Sequence, residues 1–477
     1  MDKLKGLQPE RVMYYFEAIS RIPRESGNEQ AVSDYIKGVG KDLGFETIQD
    51  AHNNVIIKKA ASPGKEDADP VILQGHMDMV CAKEQDKVID FDFDNDPIEL
   101  IVDGDFITAD GTTLGADNGI AVAMTLALLE DADAVHPRIE ALFTTEEETG
   151  MGGAINVDGK HFKGKTLINI DSEEEGIFTV SCAGGVRIFF RQPYTHVKNP
   201  YNRSCEIEIS GLTGGHSGIE IHEGRANSIK LMGRVLNRIK PIAGISSLEG
   251  GEKMNAIPKR AKAIVSVNED ITAAIQQMEQ VFKDEFRVTD PGLKITVAAC
   301  KKQEMMMDPT CMKDLINAML LLPCGVQTMS SDIQGLVESS NNVGVLHTHD
   351  DLVTIESAAR SSVKTLRDEI VDRFYALGKL TGAQIELQSE YPSWPYNPDS
   401  KIRETMKHVY EKMYGKKPEI MAIHAGLETG ILSERIGRID MISMGPNMWD
   451  VHTPNEKLSI SSTERTFLFL KELLKVL

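Results

Sequence analysis

Apolar residues in this chain gather in short runs that stop at polar, glycine-containing turns. The runs "PVILQ" (70–74), "IEALFTT" (139–145), "TLINI" (166–170), "EIMAI" (419–423) and "RIDMISM" (438–444) are rich in Leu and β-branched residues and read as buried strands. Helical patterns follow them, and the alternation predicts an α/β fold with a parallel or mixed sheet. What ends each run is polar: Gly75, His76 and Asp78 after the first, Glu146, Glu147 and Glu148 after the second, and Asp171 after the third. His424 follows the fourth and, beyond a loop, His452 follows the last. Ligands in open α/β sheets collect outside the carboxyl ends of strands, so these distant residues are expected to converge there.

The helical stretch "GADNGIAVAMTLALLED" places Asp117 and Asn118 directly before an apolar segment, where either could be a plain N-cap. Beside the other strand-end residues they read differently. Two histidines and three or four carboxylates form an inventory suited to a pair of divalent ions, most naturally Zn²⁺. Two dications ~3.5 to 4 Å apart need an anion between them, and Asp117 is the candidate. Taken singly, each motif has an ordinary reading. "HMD" could be a satisfied histidine with a surface aspartate, and "TTEEETG" a solvated turn or a helix start favoured by its dipole. In a metal site, however, one Glu of the run can bind an ion while its neighbour takes a proton from water. In "NIDSEEEG" Asp171 is nearest the strand end, with Glu173, Glu174 and Glu175 expected to be solvated. "GGHSG" (214–218) and "HTPNE" (452–456) could be plain turns. Jointly the motifs favour a metal centre.

Composition narrows the setting. At 477 residues the chain is too long for one core and predicts two or three domains, with 41% hydrophobic residues to build them and a mean hydropathy of −0.23. The start "MDKLKGLQPERVMYYF" has no signal pattern, and no apolar run nears the ~20 residues that cross a bilayer, so a soluble intracellular protein is expected. The six cysteines form no CxxC pair, which predicts free thiols in a reducing cytoplasm. A net charge of −20 argues against nucleic-acid and membrane partners.

In order along the chain, "GHMD", "GADNG", "EEETG", "NIDSEE", "GLTGGHSG", "MNAIP", "AIHAGLETG" and "HTPNEKLSI" resemble the dizinc peptidases related to carboxypeptidase G2 and aminoacylase. Within that group the chain is most similar to the aminoacyl-histidine (Xaa-His) dipeptidases, or bacterial carnosinases. The resemblance runs from about residue 10 to the C-terminus. It implies two Zn²⁺ per subunit, with Co²⁺ or Mn²⁺ as substitutes: His76 and Asp171 on one, Glu148 and His452 on the other, Asp117 between them. It implies Glu147 as general base and Asp78 as the group that orients His76. Glu147 would accept the proton of a water shared by the ions, and the resulting hydroxide would attack the scissile carbonyl. His216 is implied as the oxyanion donor, with Asn255 nearby. Arg360 matches the carboxylate-binding arginine by position and suits bidentate recognition, although a surface helix arginine is the plainer reading. Gly426 reads as a place where substrate passes close to backbone, and His424 as a pocket residue.

The motifs also divide the chain. The implied metal ligands fall before residue 172 or after residue 450, with His216, Asn255 and Arg360 between. The Pro-, Asn- and Tyr-rich segments 191–204 and 389–401 read as crossing points. The expectation is a catalytic domain of mixed central sheet and flanking helices (1–188 and 396–477), interrupted by an inserted α+β lid (189–395) of two similar halves. A lid that carries His216 and Arg360 must close on substrate. The expected activity is hydrolysis of Xaa-His and other unblocked dipeptides. The alternatives are an N-acyl-amino-acid amidohydrolase or short-peptide peptidase of the same group, and a metal-binding scaffold without catalysis. The intact Glu147 argues against the last. Whether the lid pairs two subunits as a homodimer is left open.

Overall fold

The structure, a computed structural model, describes residues 3–84, 86, 90–437 and 439–477. Two units partition the chain: Met1–Ser181 with Tyr396–Ala422 and Leu427–Leu477, and Cys182–Pro395 with Ile423–Gly426.

In the first unit the expected runs pair into one mixed sheet. Val71–His76 runs parallel to Ile139–Thr144 on one side and Thr166–Asn169 on the other, and Asp440–Ser443 runs parallel to Thr166–Asn169. The carboxyl ends of all four therefore open on one edge. Arg438, at the head of the last expected run, lies outside the described residues. Val55–Lys59 and Glu46–Gln49 extend the sheet antiparallel on one flank, with Ile177–Cys182 and Glu419–Ile423 beyond Asp440–Ser443. Val71–His76 and Ile139–Thr144 are buried throughout, as continuous apolar runs require. Glu419–Ile423 departs from the expectation of a buried strand: it is last in the sheet order and partly exposed along its length.

The Ala116–Glu130 helix is apolar on nearly every face and buried accordingly. Its cap is Gly115, so neither Asp117 nor Asn118 is the N-cap; both lie inside the helix start with non-helical backbone angles, joined by a cis peptide bond. Asn118 braces the sheet instead, accepting the His76 N–H (3.2 Å) and donating to Ile170 O (2.6 Å). A Cβ on Gly75 would lie 2.5 Å from the Asn118 side chain, which explains the glycine before His76. Further along, Met448–Trp449 and Lys457–Ser459 form a hairpin whose loop carries His452, and Lys457–Ser459 pairs with Phe106–Ala109.

The second unit is an antiparallel sheet with helices Ser228–Ile239, Thr272–Glu285, Pro309–Leu321 and Lys364–Thr381 packed into its core. Strands 203–210, 243–250, 261–267 and 294–300 join strands 184–193, 337–348, 352–361 and 384–391 through a narrow seam, Glu249 to His347 and Gly250 to Leu346. Cys81, Cys205, Cys300, Cys311 and Cys324 are free thiols. Among the described residues no helix is long and apolar enough to cross a membrane.

Candidate active site

The common edge of the four parallel strands gathers His76, Asp78, Asp117, Glu147, Glu148, Asp171 and His452. His76, the last residue of its strand, places Nε2 3.2 Å from Asp117 Oδ1 and 3.5 Å from Asp171 Oδ1. His452 Nε2 lies 3.2 Å from the other Asp117 oxygen, Oδ2, and 3.0 Å from Glu148 Oε1. One carboxylate thus faces two imidazoles, each with its own second carboxylate. Ligand atoms of His76, Asp117 and Glu148 fall within 4.8 Å of one another. Imidazole and carboxylate in this ratio are the donors that a pair of borderline divalent ions prefers, so the residues present fit the metals that the sequence implies.

The electrostatics point the same way. Burial opposes protonation of His76, yet Asp117, Asp171 and Asp78 raise its pKa well above the ordinary value. Hydrogen bonds to Asp117 and Glu148 lift His452 to about 10. Asp117, despite burial, is held well below the usual carboxylate range by His452 and His76. Burial, with the charges of Asp117 and Glu148, pushes Asp171 up to about 6. Asp171 is thus crowded by its neighbouring carboxylates, while Asp117 is matched by the two histidines.

Asp78 is fully buried with one oxygen 3.2 Å from His76 Nδ1, a contact without hydrogen-bond alignment. It accepts the Ser26 hydroxyl (2.7 Å) and the backbone N–H groups of Glu147 and Glu148 (3.2 Å each). One carboxylate therefore holds the turn that carries the adjacent glutamates and stands against the ring of His76. Burial raises Glu147 well above the usual range, reinforced by the charges of Asp171, Glu428 and Glu148. Glu146 is exposed. Glu175, expected to be solvated, accepts both arms of Arg465 (2.8 and 2.6 Å).

Sequence reasoning missed the layer beneath. Glu428, buried in "HAGLETG", accepts from Gln74 Nε2 (2.6 Å) and Thr144 Oγ1 (2.7 Å) through one oxygen. Gln74 accepts from Asn169 (2.6 Å), which accepts from Ser443 (2.5 Å). Burial pushes Glu428 up to about 8. The only signal in the sequence was polar residues inside otherwise apolar runs.

His216, Asn255, Arg360, His424 and Gly426 all belong to the second unit. His216 Nδ1 accepts the backbone N–H of Gly218 (3.3 Å) and Ile219 (3.1 Å), so in the neutral ring Nε2 carries the hydrogen. Burial and the Arg360 charge lower its pKa and keep the ring neutral. Arg360 lies on the strand Leu352–Ser361, not on a helix, and donates to the Tyr391 hydroxyl (2.8 Å). Its cross-strand partner Ser340 meets His424 Nε2 at 2.7 Å. His424 is buried, and burial with the Arg360 charge pushes its pKa down to about 3. Asn255 is exposed, with its carbonyl accepting the Ser217 N–H (2.8 Å). Gly426 is half-buried at the end of Ile423–Gly426.

Comparisons with known proteins identify the family. The cytosol non-specific dipeptidase of Escherichia coli (strain K12) is 35% identical over 100% of this chain and 99% of its own length. The crystal structure of aminoacylhistidine dipeptidase from Vibrio alginolyticus superposes with a TM-score of 0.94 at 35% identity, covering 99% of this chain and 98% of the other. The structure of aminopeptidase PepT from Bacillus cereus shares the fold, with a TM-score of 0.58 at 17% identity over 98% of both chains. Residues 72–476 match the family model described as Peptidase family M20/M25/M40, and the chain belongs to that family.

Proposed function

We propose that this metal-dependent dipeptidase hydrolyses Xaa-His and other unblocked dipeptides in the cytoplasm with two Zn²⁺ per subunit. The observation that carries the reading is Asp117, whose two carboxylate oxygens each lie 3.2 Å from a different histidine, His76 and His452. A carboxylate so placed would suit two ions at once. His76 and Asp171 would hold one ion, Glu148 and His452 the other, and Asp117 would serve both. When bound, the ions supply a water acidic enough to ionise near neutrality and polarise the substrate carbonyl.

The chain's own residues do the rest. Asp78 fixes the His76 ring and presents the turn that carries Glu147. Glu147 accepts the proton of the water and delivers it to the departing amine; its burial raises its proton affinity toward the range a general acid-base group needs. His216 donates Nε2–H to the carbonyl oxygen as negative charge grows there, a role that requires the neutral tautomer fixed by Gly218 and Ile219. Arg360, held by Tyr391, binds the free α-carboxylate, which limits substrates to dipeptides. Asn255, His424 and Gly426 line the substrate's path.

A panel of β-Ala-His, Gly-His, Leu-Gly, a tripeptide and an N-acetyl amino acid tests this. Turnover of the dipeptides alone supports it, and preferred turnover of the N-acetyl compound or the tripeptide would sink it.

A further inference from the structure

Two buried, oppositely charged side chains outside the ligand set tie the ligand-bearing segments together. Arg24 is 1% exposed and Glu456 2%. Glu456 accepts four successive backbone N–H groups: Leu114 (2.8 Å) and Gly115 (2.9 Å) through Oε2, Ala116 (2.8 Å) and Asp117 (3.2 Å) through Oε1. Leu114 and Gly115 precede the Ala116–Glu130 helix and Ala116 and Asp117 begin it, so no helix carbonyl reaches these N–H groups, and the cap residue Gly115 has no side chain to do so. A negative charge also suits that end of the helix dipole. From the other side Arg24 donates Nη2 to Gly115 O (2.6 Å) and Nη1 to Met77 O (3.1 Å) and Asp78 O (3.2 Å).

The two therefore grip the same turn. Arg24 fastens the turn before Asp117 to the residues that follow His76, and Glu456 fastens it to the loop that carries His452. The surroundings are shaped for this: a Cβ on Gly115 would lie 2.4 Å from Arg24 Nη2, and one on Gly119 2.8 Å from it. Burying a full charge is costly unless hydrogen bonds replace its water, and backbone groups of the proposed ligand segments supply them to both Glu456 oxygens and to both terminal nitrogens of Arg24.

We propose that Arg24 and Glu456 are positioning residues of the metal centre, a clamp that sets the spacing of Asp117 from His76 and from His452. The inference rests on the reading that those three residues hold the metals. Both side chains act through backbone, so neutralising or reshaping either one leaves every ligand present but loosens their geometry. Support groups of this kind are typically worth about 10- to 100-fold in metal affinity.

The test is a Co²⁺ titration of protein freed of metal by chelation, read by calorimetry and by the visible absorption of the bound ion, in wild type, Glu456→Gln and Arg24→Lys. Gln keeps the size of Glu456 without its second acceptor, and Lys keeps the charge of Arg24 without its fork. Each variant is expected to retain the wild-type far-UV circular dichroism, to bind Co²⁺ about 10- to 100-fold more weakly, and to show a shifted visible spectrum. Wild-type affinity and spectrum in both variants overturns the clamp. So does loss of folding in both, which would make the pair ordinary core; where one variant fails to fold, the other decides. A wild type that does not take up two ions overturns the metal reading itself, and the clamp with it.

Discussion

Asp78 accepts the backbone N–H of Glu147 at 3.2 Å while standing 3.2 Å from the ring of His76. A proposed ligand and the proposed base thus both stand against one buried carboxylate. Asp78→Asn replaces an acceptor with a donor facing other donors. Turnover is expected to fall about 10- to 100-fold. Steady-state kinetics beside metal analysis checks it; unchanged turnover would remove Asp78 from the machinery.

The adjacent glutamates should separate cleanly. Glu147→Gln is expected to keep two metals and lose ~10² to 10⁴ in kcat, whereas Glu148→Gln should lose metal as well, since only Glu148 meets His452. The opposite pattern means that the two roles are exchanged.

His216→Ala should lower kcat by about 10² to 10³ at unchanged metal content, the usual worth of one oxyanion donor. If turnover holds, the Nε2–H of His216 is not aimed at the reaction.

Arg360→Lys keeps the charge and loses the planar fork. A hydrogen bond to a charged group is worth about 1.5 to 3 kcal/mol, so kcat/KM for dipeptides should drop roughly 10- to 150-fold, mainly through KM. Dipeptide amides, which lack the carboxylate, should be affected little. An equal loss on both substrates would place the arginine elsewhere in the reaction.

His424 gives a pH dependence of stability. Its folded pKa, pushed down to about 3 by burial and the Arg360 charge, lies below the ~6.5 of an unfolded histidine. The unfolded chain therefore binds the extra proton first. The contribution of the neutral ring to stability is fully present above about pH 6.5 and is lost progressively as pH falls from there toward 3. Melting temperatures of wild type and His424→Asn should therefore converge as the pH is lowered from 7 to 5, and parallel curves would contradict it.

The sheet and the contents of its edge were legible because both are local signals: an apolar run defines a strand, and the residue after it must sit at the strand's end. His76, Glu148 and Asp171 could be read that way. Features that depend on partners far along the chain could not. Glu419–Ile423 reads as apolar as its neighbours, but its edge position is a matter of sheet order. Arg360 has a helix-like context in sequence and is a strand residue because Ser340 and Gly185 flank it. Glu428 resembles an ordinary acidic helix start until Gln74 and Thr144 are seen to meet it. Glu175 looked solvated because Arg465, its partner, is 290 positions away.

The polar layer beneath the ligands has a consequence for the life of the enzyme. Glu428, Gln74, Asn169 and Ser443 fasten the central strands to one another one step below the proposed metal ligands, using none of those side chains. The strand ends beneath the proposed ligands are thus tied by hydrogen bonds within the polypeptide. A chelated enzyme should keep its amide protons at Gln74 and Asn169 protected from exchange and regain activity on metal addition without refolding. Scarcity of metal would then idle the protein and spare it from degradation.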